Sequence, residues 1–348
     1  MQVAILGAGA IALGNAALLC REGHDVILWS PSGRRTAALA AGAPLVATGA
    51  IVGQFHPRTA ASCAEALADA EAVVVAAPGY AHRHVLDAAA PHLRSEQVVV
   101  FSSHMSLAGL YLAKLLSKHG VTIPIAVLGT TVTTGRQTAP DSVTVGVIRD
   151  RLDVAVLPQS ETARGLEVCR ALFGDRFAPQ SGVLAISLSN VNAQNHLAIA
   201  LCNLTRMELG EAWGQNRHIT PAVARLIEAL DAERLAIAKA FGLAVRTAHE
   251  HLHLSFRVSM GSLAEMAQAM PQPGVNGPAT LDSRYVTEDV PFGLVPTIRL
   301  AEIAGVLAPL HESGLRLMSA LYGRDFAAEN DILPELGTLS LAMLTESE

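Results

Sequence analysis

Two polar side chains, Asn192 and His196, lie four residues apart in an otherwise apolar, helix-like stretch of this chain. Asn203 follows seven residues after His196, so a helix would place all three roughly on one face. Polar groups on one side of an apolar helix must find partners, or the helix must line a cleft. His196 therefore has two interpretations, a buried imidazole satisfied by its neighbours or a side chain that transfers protons.

The segment RYVTEDVPFG, residues 284–293, brings opposite charges together in a short turn. Arg284 can bind a carboxylate through two parallel hydrogen bonds, and Asp289 can orient an imidazole. A His–Asp pair keeps the imidazole basic and in one tautomer, as proton transfer at a carbonyl or imine requires. The alternative is a structural salt bridge in which Arg284 pairs with Glu288 or Asp289.

The sequence GAGAIA at residues 7–12 directly follows an apolar strand and opens a helix. Gly7 permits a tight turn, and Gly9 lets the backbone approach a pyrophosphate. The helix N-terminus, which includes Ala10 and Ile11, attracts the phosphates. Within a βαβ unit these four residues predict a dinucleotide site, and the alternative is a glycine-rich turn that binds nothing.

The end of the second predicted strand indicates which dinucleotide would bind. Sites for NAD usually have Asp or Glu there to hold the ribose hydroxyls, but this chain has WSPSGRR at residues 29–35. An acid would repel a 2′-phosphate, whereas Ser30 and the guanidinium groups of Arg34 and Arg35 would suit it. We therefore expect NADP, with NAD as the alternative; solvated arginines at a helix start would give the same pattern.

Length and composition limit the class of protein. A chain of 348 residues with 51% apolar content can fill more than one core, so two domains are expected. A net charge of −6 without a basic run argues against nucleic acid as a partner, and no stretch is typical of a signal peptide or membrane span. The four cysteines are scattered, and His249, His251 and His253 would meet only on an extended strand, so no metal is expected. A soluble, cytoplasmic protein is the simplest interpretation.

The first half of the chain alternates apolar strands with helix-like stretches, the pattern of a parallel sheet with crossover helices. Strands are predicted over 2–6, 25–29, 72–77, 97–101 and 123–128, with 142–148 and 152–157 extending the same sheet. Past about Gly182 the pattern becomes helical, with a long helix within 184–214, others over 221–241, 262–269, 296–304 and 311–321, and a loop over 270–282. The sequence thus predicts a Rossmann-type dinucleotide-binding domain over 1–181 and an all-helical domain over 182–348.

RYVTEDVPFG, taken with NVNAQNH at residues 190–196, resembles the octopine/nopaline (opine) dehydrogenase family. In that family an Asn-rich helix carrying a His packs near an RYxxEDxPxG turn, and the His and the Asp form the catalytic pair. The resemblance spans essentially the whole chain, including the glycine-rich turn and the strand end at 76–78. One departure is Leu197, at a position where family members often have Pro.

The activity that the resemblance implies is NADPH-dependent condensation of an amino acid, or a related amine, with a 2-oxo acid through an imine. His196 would donate or accept the proton at the oxo or imine centre, and Asp289 would orient it. Arg284 would bind a substrate carboxylate, and Asn192 would help to position the substrate. The particular amine, the particular oxo acid and the oligomeric state, a homodimer included, stay open.

The chain also resembles ketopantoate reductase, which reduces a 2-oxo acid to a hydroxy acid without an amine. That enzyme relies on a lysine near the start of its helical domain, whereas Lys114, Lys118 and Lys239 all lie away from residues 190–203. A third interpretation is a nucleotide-binding sensor without turnover. The occurrence of His196 together with Asp289 and Arg284 favours the first of the three.

Overall fold

The structure is a computed structural model that describes residues 1–270, 274 and 276–337. It divides into two compact units, one comprising Met1–Ser187 and the other beginning at Leu188. The boundary lies inside a helix, a few residues after the division predicted at 181. Residues 338–348 of the predicted helical domain lie outside the described residues, as do 271–273 and 275 of the predicted loop.

The first unit contains the Rossmann-type sheet that the sequence predicts. Its strands are β1 Gln2–Leu6, β2 Asp25–Trp29, β3 Leu45–Gly49, β4 Gly53–Phe55, β5 Arg58–Thr59, β6 Ala72–Val75, β7 Val98–Phe101, β8 Ile125–Leu128, β9 Thr133–Ala139, β10 Ser142–Ile148, β11 Leu152–Leu157 and β12 Phe177–Pro179. Eight of them form one sheet in the order β12-β11-β8-β7-β6-β1-β2-β5. The central strands are continuous apolar runs, such as VVVF in β7, because parallel strands between two helical layers are buried on both faces.

A second sheet of four strands, in the order β4-β3-β10-β9, differs from the prediction. Residues 142–148 were expected to extend the main sheet, but as β10 they pair with β3 and β9. The two-residue connection Pro140-Asp141 explains the antiparallel pairing of β9 with β10, because so short a turn cannot cross over. β11 also runs antiparallel to β8. The expected all-parallel order is therefore wrong in both places.

Helices cover the main sheet, and a buried polar chain fixes the first of them. The helices of this part are α1 Ala10–Arg21, α2 Ala37–Ala40, α3 Cys63–Leu67, α4 Gly79–Ala89, α5 Ala108–Lys118, α6 Thr162–Phe173 and α7 Val183–Ser189. Asn15 of α1 donates through Nδ2 to Ser102 Oγ at 3.0 Å, and its Oδ1 accepts from Thr133 Oγ1 at 3.0 Å. These bonds fix α1, and with it the glycine-rich turn at its start, between β7 and β9.

Two buried histidines flank Phe101 at the end of β7. The ring centroid of Phe101 lies 5.7 Å from that of His82 and 6.0 Å from that of His104. His82 Nε2 donates to the Ala77 carbonyl oxygen, whereas His104 Nε2 accepts from the Gly109 amide. Burial lowers the pKa of His82 to about 4 and, together with the nearby His82, that of His104 to about 3. Both rings are therefore neutral at neutral pH.

The second unit is helical, as predicted. Its helices are α8 Asn192–Cys202, α9 Leu204–Glu208, α10 Pro221–Ala240, α11 Ala248–Phe256, α12 Leu263–Ala269, α13 Arg284–Thr287, α14 Val295–Ala304, α15 Pro309–Tyr322 and α16 Leu333–Leu336. The predicted start of α10 is confirmed, since Thr220 Oγ1 accepts from the Val223 amide and Pro221 occupies the first position. Among the described residues, no helix has both the length and the apolar character needed to cross a membrane.

The single long helix expected within 184–214 is broken into α7, α8 and α9. Asn190 Oδ1 accepts from the Asn192 amide, and Asn203 Nδ2 donates back to the Ile199 carbonyl oxygen. Such local side-chain bonds compete with the helical pattern and favour helix ends at these positions. The breaks make Asn192 the first residue of α8 and put His196 one turn further on.

A buried ion pair connects α10 with two neighbouring segments of the second unit. Arg234, fully buried, donates to Asp231 at 2.6 and 2.9 Å, to the Leu188 carbonyl oxygen, and to that of Arg246 at 2.6 Å. The second oxygen of Asp231 accepts from the Ala248 amide at 2.8 Å. The pair thus holds the start of α11 and the end of α7 against α10.

Each unit contains one of the two tryptophans of the chain. Trp29 is the last residue of β2 and is 6% exposed. Trp213 is 3% exposed and donates its Nε1–H to the Pro278 carbonyl oxygen at 3.0 Å. A Cβ on Gly277 would overlap the Trp213 ring, so a glycine there lets the backbone cover the indole.

Candidate active site

His196 and Asp289, predicted as a pair although 93 residues apart in the chain, are hydrogen-bonded. His196 Nδ1 lies 2.7 Å from Asp289 Oδ2, with side chains 19% and 12% exposed. Because a carboxylate only accepts, the proton in this bond belongs to Nδ1. Nε2 is thus the ring nitrogen that can exchange a proton with another molecule.

Tyr285 is a member of this site that the sequence did not single out. Its ring stacks on His196 with centroids 3.6 Å apart and an interplanar angle of 9°, and its hydroxyl donates to Gln215 Oε1. Burial and the negative charge of Asp289 raise the pKa of Tyr285 to about 12, against the opposing effect of the Gln215 bond. Tyr285 is therefore a neutral phenol that fixes the plane of the imidazole. The sequence showed Tyr285 only as a matching residue of the RYxxEDxPxG motif, without a role.

The RYVTED segment folds into a short helix followed by an unusual turn. Ser283 caps α13 by accepting from the Tyr285 amide, and Thr287 Oγ1 donates back to the Ser283 carbonyl oxygen. Asp289 immediately precedes a π-helical turn, Val290–Leu294, whose Pro291 carbonyl oxygen accepts from Asn330 Nδ2 at 2.8 Å. Widened turns of this kind occur often at functional sites, and this one orients the Asp289 carboxylate toward α8.

Arg284 is ion-paired with Glu288. The Glu288 side chain is 2% exposed, whereas that of Arg284 is 70% exposed. This is the salt bridge that the sequence offered as the alternative to a substrate role. Because the Arg284 guanidinium is exposed and has five N–H donors, its ion pair with Glu288 is compatible with further hydrogen bonds. Binding of a substrate carboxylate by Arg284 stays a prediction.

A cavity of about 130 Å³ lies beside His196, within the helical unit. Nine apolar and six polar side chains line it, the polar ones being Asn192, Asn195, His196, Gln215, Asn216 and His251. Asn192 is exposed and lies one helical turn before His196. The structure therefore brings Asn192 and His196 to one cavity. Neither Arg284 nor Asp289 is among its lining residues.

The glycine-rich turn of the first unit has the geometry that close approach of a dinucleotide requires. Gly7 adopts φ +139°, and a Cβ there would overlap the Ala76 carbonyl oxygen. Gly9 immediately precedes α1, so the amides of Ala10 and Ile11 belong to the first helical turn, where backbone N–H groups have no partner within the helix. A Cβ on Gly9 would lie 3.6 Å from Arg35 Nη1, which places this guanidinium directly over the turn.

Ser30 and the two arginines lie at the end of β2, where a ribose would be recognised. Ser30 is 7% exposed, and its Oγ has no hydrogen-bond partner among the described residues. A buried hydroxyl is rarely left without a partner, so this one fits a ligand that supplies the missing bond. Arg34 and Arg35 are exposed, and neither forms an ion pair with a described residue. These features fit a nicotinamide dinucleotide.

The alternating histidines lie on α11 and not on a strand. His249 Nε2 is 3.2 Å from Glu228 Oε1, and His253 Nδ1 donates to the Val258 carbonyl oxygen at 2.7 Å. His251 lines the cavity beside His196. Within the described part of the chain, no three potential metal ligands come together.

Comparison with known proteins places this geometry in a family. Residues 179–322 match the model for the NAD/NADP octopine/nopaline dehydrogenase alpha-helical domain, and residues 3–104 match that for ketopantoate reductase PanE/ApbA. The opine dehydrogenase of Arthrobacter sp. (strain 1C) is 32% identical over 345 residues, 97% of this chain and 95% of that protein. A vitopine synthase of Allorhizobium ampelinum is 26% identical over 349 residues, 94% of this chain and 95% of that protein.

Solved structures show the same fold. An octopine dehydrogenase with NADH and L-arginine matches with a TM-score of 0.82 at 18% identity, over 100% of this chain and 98% of that one. A yersinopine dehydrogenase with NADP⁺ matches with a TM-score of 0.72 at 17% identity, over 100% and 98%. The relative at 32% identity and the match to the octopine/nopaline dehydrogenase helical domain show an NAD(P)-dependent oxidoreductase acting on the CH-NH group of donors. The chain belongs to the opine dehydrogenase family.

Proposed function

We propose that this protein uses NADPH to condense an amino acid, or a related amine, with a 2-oxo acid through an imine. The observation that carries the proposal is the His196–Asp289 hydrogen bond, with His196 lining a cavity of the helical unit. A full-length relative at 32% identity is named an opine dehydrogenase, which supports the same reaction here. The product is an N-(1-carboxyalkyl) amino acid.

His196 is proposed as the proton-transferring group. With Nδ1–H bonded to Asp289, the imidazolium form can donate from Nε2 to the oxo oxygen, which leaves as water when the imine forms. The neighbouring carboxylate stabilises that imidazolium, and the stacked Tyr285 fixes its plane. The dinucleotide supplies the hydride that adds to the imine carbon.

NADPH is proposed in preference to NADH because of the groups at the end of β2. Ser30 offers an unpartnered hydroxyl, and Arg34 and Arg35 offer two guanidinium groups. A 2′-phosphate accepts charge-assisted hydrogen bonds from such groups, whereas an unphosphorylated ribose does not need them. A yersinopine dehydrogenase structure contains NADP⁺ and an octopine dehydrogenase structure contains NADH, so the preference depends on the residues of this chain.

Arg284 and Asn192 complete the proposal as substrate-binding residues. The guanidinium of Arg284 is 70% exposed, and its planar fork of five N–H donors matches the geometry of a carboxylate. The Asn192 amide lies one helical turn from His196 and can hydrogen-bond the substrate before proton transfer.

The experiment that tests this function is NADPH consumption with pyruvate, 2-oxoglutarate or glyoxylate, each with and without a panel of amino acids and polyamines. Oxidation of NADPH that requires both an oxo acid and an amine supports imine reduction. Mass spectrometry should then find a product equal to the two substrates joined, less water, plus two hydrogens. Oxidation with the oxo acid alone contradicts the proposal.

The second candidate is a 2-oxo acid reductase that produces a hydroxy acid. The match of residues 3–104 to ketopantoate reductase favours it, but that match covers the nucleotide unit and not the cavity. No lysine is among the residues that line the cavity beside His196, and Lys239 is the only lysine after residue 118. Turnover that is independent of any amine would establish this candidate.

A further inference from the structure

We propose that the outward face of α15 binds the same face of a second copy of this chain, so that the protein forms a two-fold symmetric dimer. The two α15 helices are antiparallel in this dimer, and the two-fold axis passes near residue 314. The inference is independent of the proposed function, because no residue of α15 is among the described residues that line the cavity beside His196.

Large apolar side chains are concentrated on the exposed side of α15. Leu310, Leu317 and Leu321 are 37%, 49% and 49% exposed, and Leu307, just before the helix, is 86% exposed. The three helical leucines are separated by whole numbers of turns, so they form one row along the helix, here called the leucine row. Single exposed leucines are common on protein surfaces, whereas a continuous group of them marks an interaction site.

The opposite side of α15 is packed against the rest of the helical unit. His311 is fully buried, and a Cβ on Gly314 would overlap the Leu197 side chain. At the start of the helix, the Glu233 carboxylate accepts hydrogen bonds from the Leu310 and His311 amides at 2.8 and 3.1 Å. The inner face thus holds α15 in a fixed orientation, and the leucine row is left for a partner.

The leucine row is complementary to itself when the second copy runs in the opposite direction. An axis near residue 314 places Leu310 of one copy opposite Leu317 of the other, because the two lie at similar distances from the axis on either side. It places Leu307 opposite Leu321 for the same reason. A contact of this isologous kind is closed by two copies, so the row is covered in both of them.

The charged residues beside the leucine row are complementary in the same register. Glu312 and Arg316 lie on one flank of the row, 3.6 Å apart, with side chains 45% and 81% exposed. A two-fold axis brings the same flank of both copies together, so Glu312 of each copy faces Arg316 of the other. Pairs of this kind at the edge of an interface determine its register more than its affinity.

The first test is the molar mass of the full-length protein, measured by sedimentation equilibrium over a range of concentrations. We expect a monomer–dimer equilibrium with a dissociation constant on the order of 10 µM, because α15 has 14 residues and is only about 21 Å long. A protein that stays monomeric at about 100 µM would overturn the inference and leave this face to another kind of partner.

The second test places a charge in the leucine row. Leu317→Glu should raise the dissociation constant at least about 100-fold, because each copy then brings a carboxylate into the contact. Leu209→Glu is the matched control, since Leu209 is 75% exposed, follows α9 and is not part of the row. Circular dichroism checks that both variants are folded. Equal dissociation constants for the two variants would contradict the proposed interface.

The third test examines the register with charge exchange. Arg316→Glu and Glu312→Arg each place like charges opposite one another, so each variant alone should self-associate about tenfold more weakly. In an equimolar mixture, opposite charges face each other only in mixed dimers, which should therefore predominate. Native mass spectrometry separates the three dimers by mass. A statistical distribution of the three would overturn the antiparallel register.

Discussion

At the scale of single residues, the bond between His196 and Asp289 determines which ring nitrogen is available for proton transfer. Asp289 accepts from Nδ1, and Tyr285 covers one face of the ring. Nε2 is the nitrogen that the proposed reaction uses. The arrangement is sensitive to the chemical character of residue 289, because an amide of the same shape can donate as well as accept.

Substitution of Asp289 by Asn should therefore reduce kcat with little change in stability. The introduced side-chain amide can donate to Nδ1 and so favour the tautomer that carries its proton on Nε2, and it cannot stabilise the imidazolium. We expect kcat to fall by about 10³-fold, with the KM for NADPH nearly unchanged. Steady-state kinetics across pH provides the measurement. Asp325→Asn, an exposed position that caps Ala328, is the control and should retain full activity.

The proposed preference for NADPH also depends on a few residues. The Arg35 guanidinium lies beside the glycine-rich turn, and Arg34 is its neighbour in the sequence. Replacing both arginines by Gln should therefore raise the KM for NADPH by about 10- to 100-fold. The KM for NADH should change less than about threefold, since NADH lacks the 2′-phosphate. Arg21→Gln, at the far end of α1, controls for the loss of positive charge. An equal rise in the KM values for NADPH and NADH would mean that the arginines do not bind the 2′-phosphate.

At the scale of elements, the walls of the cavity depend on how α10 is joined to its neighbours. Arg234 and Asp231 connect α10 to Arg246, to the first residue of α11 and to the end of α7. Helices α8, α10 and α11 all contribute to the cavity. The ion pair is fully hydrogen-bonded, so its charges are compensated inside the unit. Removal of either charged side chain would leave the charge of the other one buried without its partner.

Arg234→Met should lower the free energy of unfolding by about 3–5 kcal/mol. The reason is that Asp231, with a side chain 7% exposed, would lose its cationic partner. Chemical denaturation at pH 7 measures the change. Arg316→Met, in an exposed i,i+4 pair with Glu312, should change stability by less than about 0.5 kcal/mol. An equal effect of the two substitutions would show that the buried pair contributes no more than a surface one.

The elements differ in how well the sequence predicted them, and the difference has a physical cause. β1 and β2 were predicted to the residue, because buried parallel strands are continuous apolar runs next to a glycine-rich turn. The second sheet was not predicted, since the pairing of β3 with β10 joins residues about a hundred positions apart. Helix α11 was missed although Thr247 and Glu250 form a capping box at its start.

In the candidate site, too, local motifs could be predicted from the sequence and tertiary contacts could not. Residues inside compact motifs, such as His196, Asp289 and Arg284, could be found from the sequence. Tyr285 was quoted as part of its motif, but its stacking on His196 could not be foreseen because it depends on tertiary packing. The apolar lining of the cavity comes from four helices, and no local pattern connects them.

At the scale of the whole molecule, acid stability is limited by histidines that fold in the neutral form. His82 and His104 are buried on either side of Phe101 with strongly lowered pKa values. In the unfolded chain these rings take up protons below about pH 6.5, whereas in the folded chain they do so only near pH 4 and pH 3. Unfolding therefore becomes more favourable as the pH falls through this interval.

The free energy of unfolding should accordingly decrease between pH 6.5 and pH 4, with His82 alone accounting for on the order of 3 kcal/mol. His82→Gln should flatten this dependence, because an amide can still donate to the Ala77 carbonyl oxygen without titrating. Denaturation curves at several pH values supply the comparison. His56→Gln, at an exposed position, should leave the pH dependence of the free energy of unfolding unchanged.

The placement of one tryptophan in each unit gives the protein a separate optical signal for each half. Trp29 adjoins Ser30 at the end of β2, and Trp213 is enclosed in the helical unit. With Trp213 replaced by Phe, emission comes from the nucleotide unit alone and should be quenched by energy transfer when NADPH is added. With Trp29 replaced by Phe, emission follows the melting of the helical half. Two single-tryptophan proteins can thus reveal by fluorescence whether the halves unfold together or in sequence.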